Sequence, residues 1–321
     1  MGCVGADPAG GAGAPRILRP CIAAAHSAPA AARNAYSPAS MLAYRHAFHA
    51  GNHGDVLKHL VLLAVLRHLN LKDKGWRYVD THAGAGGYSL QGAYARKKAE
   101  HAQGIALVRA RAADAPPLVA DYLERVREFN GGDALKQYPG SPAFAHALQR
   151  PQDQLSLFEL HPTDHRVLSS YLGKEAGCEV RMVDGFEALK SRLPPPTRRG
   201  LVLVDPSYEL DRDYARVVSV LRESLQRFAD GSYLVWYPQV GKVQAAELPK
   251  RLRNLTSGPW LHARLTVARP DARGFGMSGS GVFVFNPPHT LHAQLKTVLP
   301  WLHEVLKQFD GGGWQLDQKA M

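Results

Sequence analysis

The chain has 321 residues, of which 45% are hydrophobic, 21% charged and 8% aromatic; these are ordinary globular proportions, enough for one large domain or two small ones. Lysine and arginine outnumber aspartate and glutamate by 39 to 28, a net charge of +11, which suits a polyanionic partner without requiring one. Three cysteines without a Cys-x-x-Cys pair exclude a disulfide scaffold and a zinc ribbon and point to a reducing, cytoplasmic setting, and no apolar run approaches the roughly 20 residues of a membrane span.

Residues 1–40 stand apart. They hold thirteen alanines, five glycines, five prolines, one acid (Asp7) and two of the three cysteines, Cys3 and Cys21. With few large apolar side chains to offset ordering entropy, this stretch is expected to be a disordered extension. It is acid-poor like a targeting peptide, but it lacks an apolar h-region and carries few arginines. Met41 is therefore the expected functional start. The other 281 residues keep 36 basic and 27 acidic side chains, or +9, so the extension does not create the charge. One domain is expected over 41–310, with a helical insertion over 89–140 and a tail over 311–321.

Along the core, residues 55–70 place apolar side chains at helical spacing behind Asp55, a suitable N-cap. Residues 77–80 read as a short buried strand that runs into a glycine-rich loop. The Ala- and charge-rich segment 93–135 reads as helical, broken at Pro116 and Pro117. Strands are then predicted over 155–160, 178–186, 201–204 and 232–238, with helices over 161–173, 213–228 and 242–256 between and after them. Residues 262–268 and 281–285 complete seven strands around a Gly-rich loop. This alternation implies βαβ units and a mostly parallel sheet, with ligands beyond the carboxyl ends of the strands. Those ends carry Asp80, Glu159, Asp184, Asp205 and Tyr237. Four carboxylates in five suit a polar ligand with hydroxyl and amino groups.

The loop from Asp80 to Gly87 has glycines at 84, 86 and 87, where the backbone can turn sharply and approach a ligand closely. It is not G-x-G-x-x-G, since Tyr88 and Ser89 follow, and it lacks a phosphate-loop lysine. A short D-x-x-x-G-x-G loop suits a nucleoside with an amino-acid tail, S-adenosylmethionine. Glu159 would then accept from ribose hydroxyls and Asp184 would meet the adenine amine. A plain tight turn flanked by surface carboxylates fits the loop as well. Glu159 follows Asp80 by 79 positions instead of the usual ~20, so 89–140 reads as an insertion after the first strand. Its Arg96, Lys97, Lys98, Arg109, Arg111, Arg125 and Arg127 suit either a solvated face or an RNA clamp.

Two segments approach the [DN]-P-P-[YF] pattern of amino-group methyltransferases. Asp205-Pro206-Ser207-Tyr208 lacks the second proline, and Asn286-Pro287-Pro288-His289 lacks the aromatic. Position favours Asp205, which follows a predicted central strand across from the glycine loop; Asn286 reads as a strand-ending turn. An exocyclic amine is a poor nucleophile because its lone pair is delocalised into the ring. A carboxylate and the Pro206 carbonyl can accept its hydrogens and aim the lone pair at an electrophilic methyl. Tyr208 would stack on the extruded base. Ser207 keeps that backbone route but loosens the turn.

Four histidines, 46, 49, 53 and 59, fall within one short block. The spacing of His46, His49 and His53 invites a metal reading, but with no HExxH, cysteine partner or second ligand cluster none is expected. Arg45, Lys58 and these histidines could equally meet phosphates or the cofactor.

The block YRHAFHAGNHGDVLKH (44–59), with DTHAGAG, YPGSP (138–142), FELHP (158–162), VDGF (183–186), VDPSYE, VWYP and FNPP (285–288), resembles the RlmJ family of 23S ribosomal RNA adenine-N6 methyltransferases, in order from Met41 to about Trp301. The resemblance implies a Rossmann-like class I methyltransferase: an α/β fold with a mostly parallel seven-stranded sheet flanked by helices. It implies S-adenosylmethionine as cofactor and 23S ribosomal RNA as partner, with a monomeric enzyme and no membrane. By resemblance, His59, His82, Ser141, Glu159, Asp184, Gly185 and Asp205 line the cofactor site. Asp205, Pro206 and Tyr208 are the catalytic group, and Tyr44 and Tyr208 meet the substrate adenosine. The departure is Ser207, which touches rate more than reaction type. A DNA adenine-N6 methyltransferase and a catalytically silent RNA-binding relative are the alternatives; the missing G-x-G-x-x-G disfavours a nicotinamide-dependent dehydrogenase.

Overall fold

The computed structural model describes residues 45–92, 99–269 and 276–320; the extension 1–40 and Tyr44 lie outside them. Helix α1 (His53–Asn70) comes first, then β1 (Arg77–Asp80) and β2 (Gly87–Ser89). Next come α2 (Ile105–Ala110) and α3 (Pro117–Asn130), then β3 (Gln137–Pro139) and α4 (Ser141–Ala147). There follow β4 (Gln154–Phe158), α5 (Pro162–Leu172), β5 (Cys178–Arg181), α6 (Gly185–Leu189), β6 (Gly200–Val204), α7 (Asp211–Arg227), β7 (Ser232–Gln239), α8 (Val243–Arg253), β8 (Trp260–Thr266), β9 (Gly279–Phe285), α9 (Leu291–Leu306) and β10 (Gly313–Lys319).

The main sheet has the order β10-β8-β9-β7-β6-β1-β4-β5. Strands β5, β4, β1, β6 and β7 are parallel, and β9, β8 and β10 add antiparallel. The expected seven strands are thus corrected to eight. The additional strand, β10, pairs Gly313 with Thr266 through Lys319 with Trp260, within the segment read as a tail. It is a half-exposed, polar edge strand, so it shows no buried apolar run, and polar edges protect a sheet from further pairing.

Alternate side chains explain how the sheet is covered on both faces. Leu201 and Leu203 of β6, with Val282 and Val284 of β9, face one apolar cluster with α1, α3 and α9. Val202, Val204, Phe283 and Phe285 face the other, with α6, α7 and α8. Fifteen of the 18 residues of α1 are buried, as expected of a helix that is apolar nearly all round. The chain runs from β1 outward through β4 to β5 and returns to β6 on the other side of β1. The strand order therefore reverses between β1 and β6, where a crevice opens in such sheets.

The ribbon β2–β3 pairs Tyr88 with Tyr138 and so joins the two ends of the segment that carries α2 and α3. Pro117 sits in the first turn of α3 and Gly131 closes it at φ 65°, the usual asymmetry of proline at a helix start and left-handed glycine at its end. Leu118, Val119, Tyr122 and Val126 bury its inner face. Arg111, Arg125 and Arg127 pair with Asp114, Glu128 and Glu124 on the surface.

Candidate active site

The site starts at the head of α1. Asn52 caps this helix, its side chain accepting from the Asp55 N–H at 2.9 Å. Positions 55, 58 and 59 share one helical face, which places Asp55, Lys58 and His59 toward the switch point. Lys58 Nζ lies 2.8 Å from Asp55 Oδ1 and 2.6 Å from Asp205 Oδ2. Asp55 Oδ2 also meets His46 Nε2 at 2.8 Å and accepts from the Gly51 N–H at 2.9 Å. Burial by itself would lower the Lys58 pKa, but Asp205 and then Asp55 hold it above its ordinary value. Burial likewise would raise Asp55, but the His46 and Lys58 charges keep it well below the carboxylate range. The result is a buried, charge-assisted chain that fixes one oxygen of Asp205.

A cleft of about 430 Å³ opens beside it at the strand ends. His59, His82, Ser141, Glu159, Asp184, Gly185 and Asp205 all line it, with Pro206. Glu159 accepts from the Gly84 N–H at 2.8 Å and the His161 N–H at 2.6 Å. Burial nevertheless pushes it up to about 7. Asp184 ends the run after β5 earlier than expected, because its carboxylate caps α6 at the Phe186 N–H (3.0 Å); Arg216 donates to its other oxygen at 2.7 Å. Burial lowers His82 to about 4, so its ring is neutral and stands edge-on to Phe186. Ser141 Oγ donates to Asp80 Oδ2 at 2.6 Å, as does Tyr78 OH at 2.7 Å, so Asp80 is a buried anchor behind the loop, not a lining group. Burial and the Lys58 charge push His59 well below its ordinary pKa; its Nδ1 meets Tyr138 OH at 2.8 Å, while Nε2 is buried without a hydrogen-bond partner. Two glycines are required here. A Cβ on Gly84, at φ +61°, would strike Tyr88 OH, and one on Gly185 would strike the Thr81 carbonyl.

A second chamber, about 700 Å³, shares Asp205, Lys58, His46, Ser207 and Glu209 with the first and extends to His53, Tyr208, Trp236, Lys242 and Met277. Tyr208 takes φ +54°, a left-handed conformation that costs a non-glycine residue roughly 1–3 kcal/mol. Its hydroxyl donates to the Trp236 carbonyl at 2.7 Å and its ring lies 4.7 Å from Tyr214. The ring is thus held as a wall with its edge fixed. Tyr237, expected at a ligand-facing strand end, instead bonds buried His262 at 2.7 Å within the sheet; its neighbour Trp236 lines the chamber. Asn286 lies at the opposite end of the sheet, beside the start of β7, and donates to the Ala229 and Gly231 carbonyls. The histidines of the N-terminal block take separate partners: His46 pairs with Asp55 and His49 with Glu100. Among the described residues no group of three or more His, Cys, Asp or Glu side chains is placed to hold a metal.

Asp55 was expected as the N-cap that Asn52 supplies, Trp236 stood in a motif without a role, and Lys58 was expected at phosphates or the cofactor and pairs instead with Asp55 and Asp205. The available signal was a charged pair three residues apart, with His53 and His59 around it, ahead of a continuous apolar run; charges there must find partners when buried.

The comparisons bear on the same architecture. Two proteins named ribosomal RNA large subunit methyltransferase J are similar to this chain. That of Escherichia coli K12 is 45% identical over 83% of this chain and 94% of its own length. That of Haemophilus influenzae Rd is 42% identical over 86% of this chain and 98% of its own. A crystal structure of a Legionella pneumophila Philadelphia 1 protein matches with a TM-score of 0.77 at 33% identity, covering 85% of this chain and 98% of that one. The family model described as "Ribosomal RNA large subunit methyltransferase D, RlmJ" matches residues 73–319. With the match spanning every strand of the main sheet and all of the strand-end carboxylates, the chain belongs to the RlmJ family of ribosomal RNA large subunit methyltransferases.

Proposed function

We propose that this protein methylates the N6 amine of an adenosine in 23S ribosomal RNA, with S-adenosylmethionine as donor, in the cytoplasm where ribosomes are assembled. The observation that carries the reading is the position of Asp205: its carboxylate borders both chambers, pinned by Lys58. The groups of the first chamber fit the cofactor. Glu159 is set to accept from ribose hydroxyls, Asp184 to meet the adenine amine, and the unpartnered His59 Nε2 offers one more polar contact. When bound, the cofactor supplies an electrophilic methyl group on a sulfonium sulfur.

The remaining work falls to side chains. The target base enters the second chamber against the aromatic wall of Tyr208 and Trp236. Tyr44 is assigned to the same base and lies outside the described residues. Lys58 holds Oδ2 of Asp205, leaving further lone pairs of the carboxylate to accept an amine N–H. With the Pro206 carbonyl accepting the second hydrogen, the nitrogen is drawn toward tetrahedral geometry and its lone pair points toward the first chamber. Asp205 is also the acceptor for the proton that the nitrogen gives up.

The test is transfer of tritium from labelled S-adenosylmethionine to total RNA that lacks the modification. Label recovered as N6-methyladenosine in large-subunit RNA is expected; label on DNA alone, or on another nucleoside, would overturn the reading.

A further inference from the structure

The Asp205-Pro206-Ser207-Tyr208 loop lacks the second proline that would fix its turn, yet it holds Tyr208 at φ +54°. A loosened loop in a strained conformation needs an external restraint. The Tyr208 ring is held through its hydroxyl on the Trp236 carbonyl, and one lysine holds the backbone. Lys242, at the N-cap of α8, reaches across the second chamber, and its Nζ donates to the Tyr208 carbonyl at 3.3 Å and the Glu209 carbonyl at 2.9 Å. The same ammonium lies 3.0 Å from Asp211 Oδ1, at the start of α7, and 6.0 Å from the centre of the Tyr214 ring. It thereby ties the last residue of the motif and the one after it to the starts of two helices. Its backbone is fixed in turn, since its carbonyl accepts from the Ala245 N–H at 3.1 Å.

We propose that Lys242 is a positioning residue that replaces the rigidity of the absent second proline, holding Tyr208 in its left-handed conformation and so aiming Asp205 and the base wall. The inference rests on the proposed function for its catalytic consequence but not for its structural one. A proline at 207 restricts its own φ and the residue before it, whereas Lys242 restrains the loop from outside through carbonyls. The two devices restrain adjoining dihedrals of one short loop, proline at 206–207 and Lys242 at 208–209, so each should reduce the loop's need for the other.

The experiment is a double-mutant cycle on Lys242→Met and Ser207→Pro, read in two ways. Hydrogen exchange at the Tyr208 and Glu209 amides, in the protein without RNA, reads the loop itself. Turnover, the KM for RNA and the cofactor Kd read its consequence. Lys242→Met is expected to speed exchange of these amides and to lower kcat about 10-fold, the scale of a small misplacement of reacting groups, with the cofactor Kd within about twofold. Ser207→Pro alone is the reference arm of the cycle, and in the Lys242→Met background it should restore slow exchange and most of the turnover of that reference arm. Lys242→Arg, which keeps charged N–H donors, should stay near the starting values. Independent, multiplicative effects of the two substitutions, or unchanged exchange in Lys242→Met, would overturn the proposal. If Lys242→Met does not fold, Lys242→Gln in the Ser207→Pro background carries the same comparison. Should the protein methylate a different nucleic acid, the exchange measurement still decides the role of Lys242, so failure of the functional reading and failure of this one are distinct results.

Discussion

Asp205 has one oxygen occupied by Lys58 and borders the space where both ligands would meet. Replacing it with asparagine keeps the shape but removes the charge that pairs with Lys58 and that, on the proposed function, accepts the amine hydrogens. Turnover of Asp205→Asn should fall roughly 10²- to 10³-fold, with the cofactor Kd changed only slightly; single-turnover rates and calorimetry on the same sample check this. Weakened cofactor binding with near-normal turnover would contradict the assignment. Glu159 gives a pH signature. Burial pushes it up to about 7 from an ordinary value of 4.5, so the folded protein keeps this proton where the unfolded chain has lost it. Its ionisation therefore costs stability as pH rises from about 4.5 to about 7, and the cost is complete above that. Ribose hydroxyls that donate to the ionised form reverse that preference. Affinity for S-adenosylmethionine should consequently rise roughly tenfold between pH 6 and 8 and then level off, and Glu159→Gln should flatten the profile. A pH-independent Kd in the unsubstituted protein would remove Glu159 from that role. The strand-end carboxylates were legible as residues because turn-forming acids beside a glycine loop form a local pattern. Their states were not, because a pKa depends on the burial and charges that distant segments bring.

At the scale of elements, the candidate acids sit just beyond strand ends or at helix starts, while Lys58 and His59 lie in the second turn of α1. Asp184 caps α6 and also lines the cleft proposed for the cofactor, so its capping and its proposed binding role can be separated. Serine is a good cap with no charge. Asp184→Ser should keep the melting temperature while weakening cofactor binding about tenfold. Asp184→Ala should weaken binding similarly and lose about 1 kcal/mol of stability besides. Equal affinity in both variants and the parent would confine Asp184 to capping. Helix α1 was readable from its apolar spacing, but its polar residues pointed nowhere in particular until packing turned one face of it toward Asp205. The second chamber was not readable at all, since its walls come from α1, β7, the loop after β6 and the segment before β9, elements far apart along the chain. The Asn286 segment shows the same limit from the other side: it has both prolines of the motif, and its place beside the start of β7 puts it at the wrong end of the sheet.

For the molecule as a whole, the doubly covered sheet depends on its edges. β10 covers the edge of β8 through seven aligned residue pairs. Ending the chain after residue 310 should expose that edge, lower the melting temperature by roughly 5 °C or more and produce concentration-dependent aggregation; light scattering with thermal melts checks both. An unchanged melt would make β10 dispensable. The sequence by itself determined the alternation of strands and helices, the mostly parallel character of the sheet and the identities of the strand-end acids, because apolar periodicity and turn chemistry act over a few residues. Only the tertiary structure decided the eighth strand, the Asp55–Lys58–Asp205 chain, the displacement of Asp80 and Tyr237 from the cleft and the clamp from Lys242. Each of these joins segments tens of residues apart, and such contacts are selected by the free energy of burying the whole core, which no local pattern encodes.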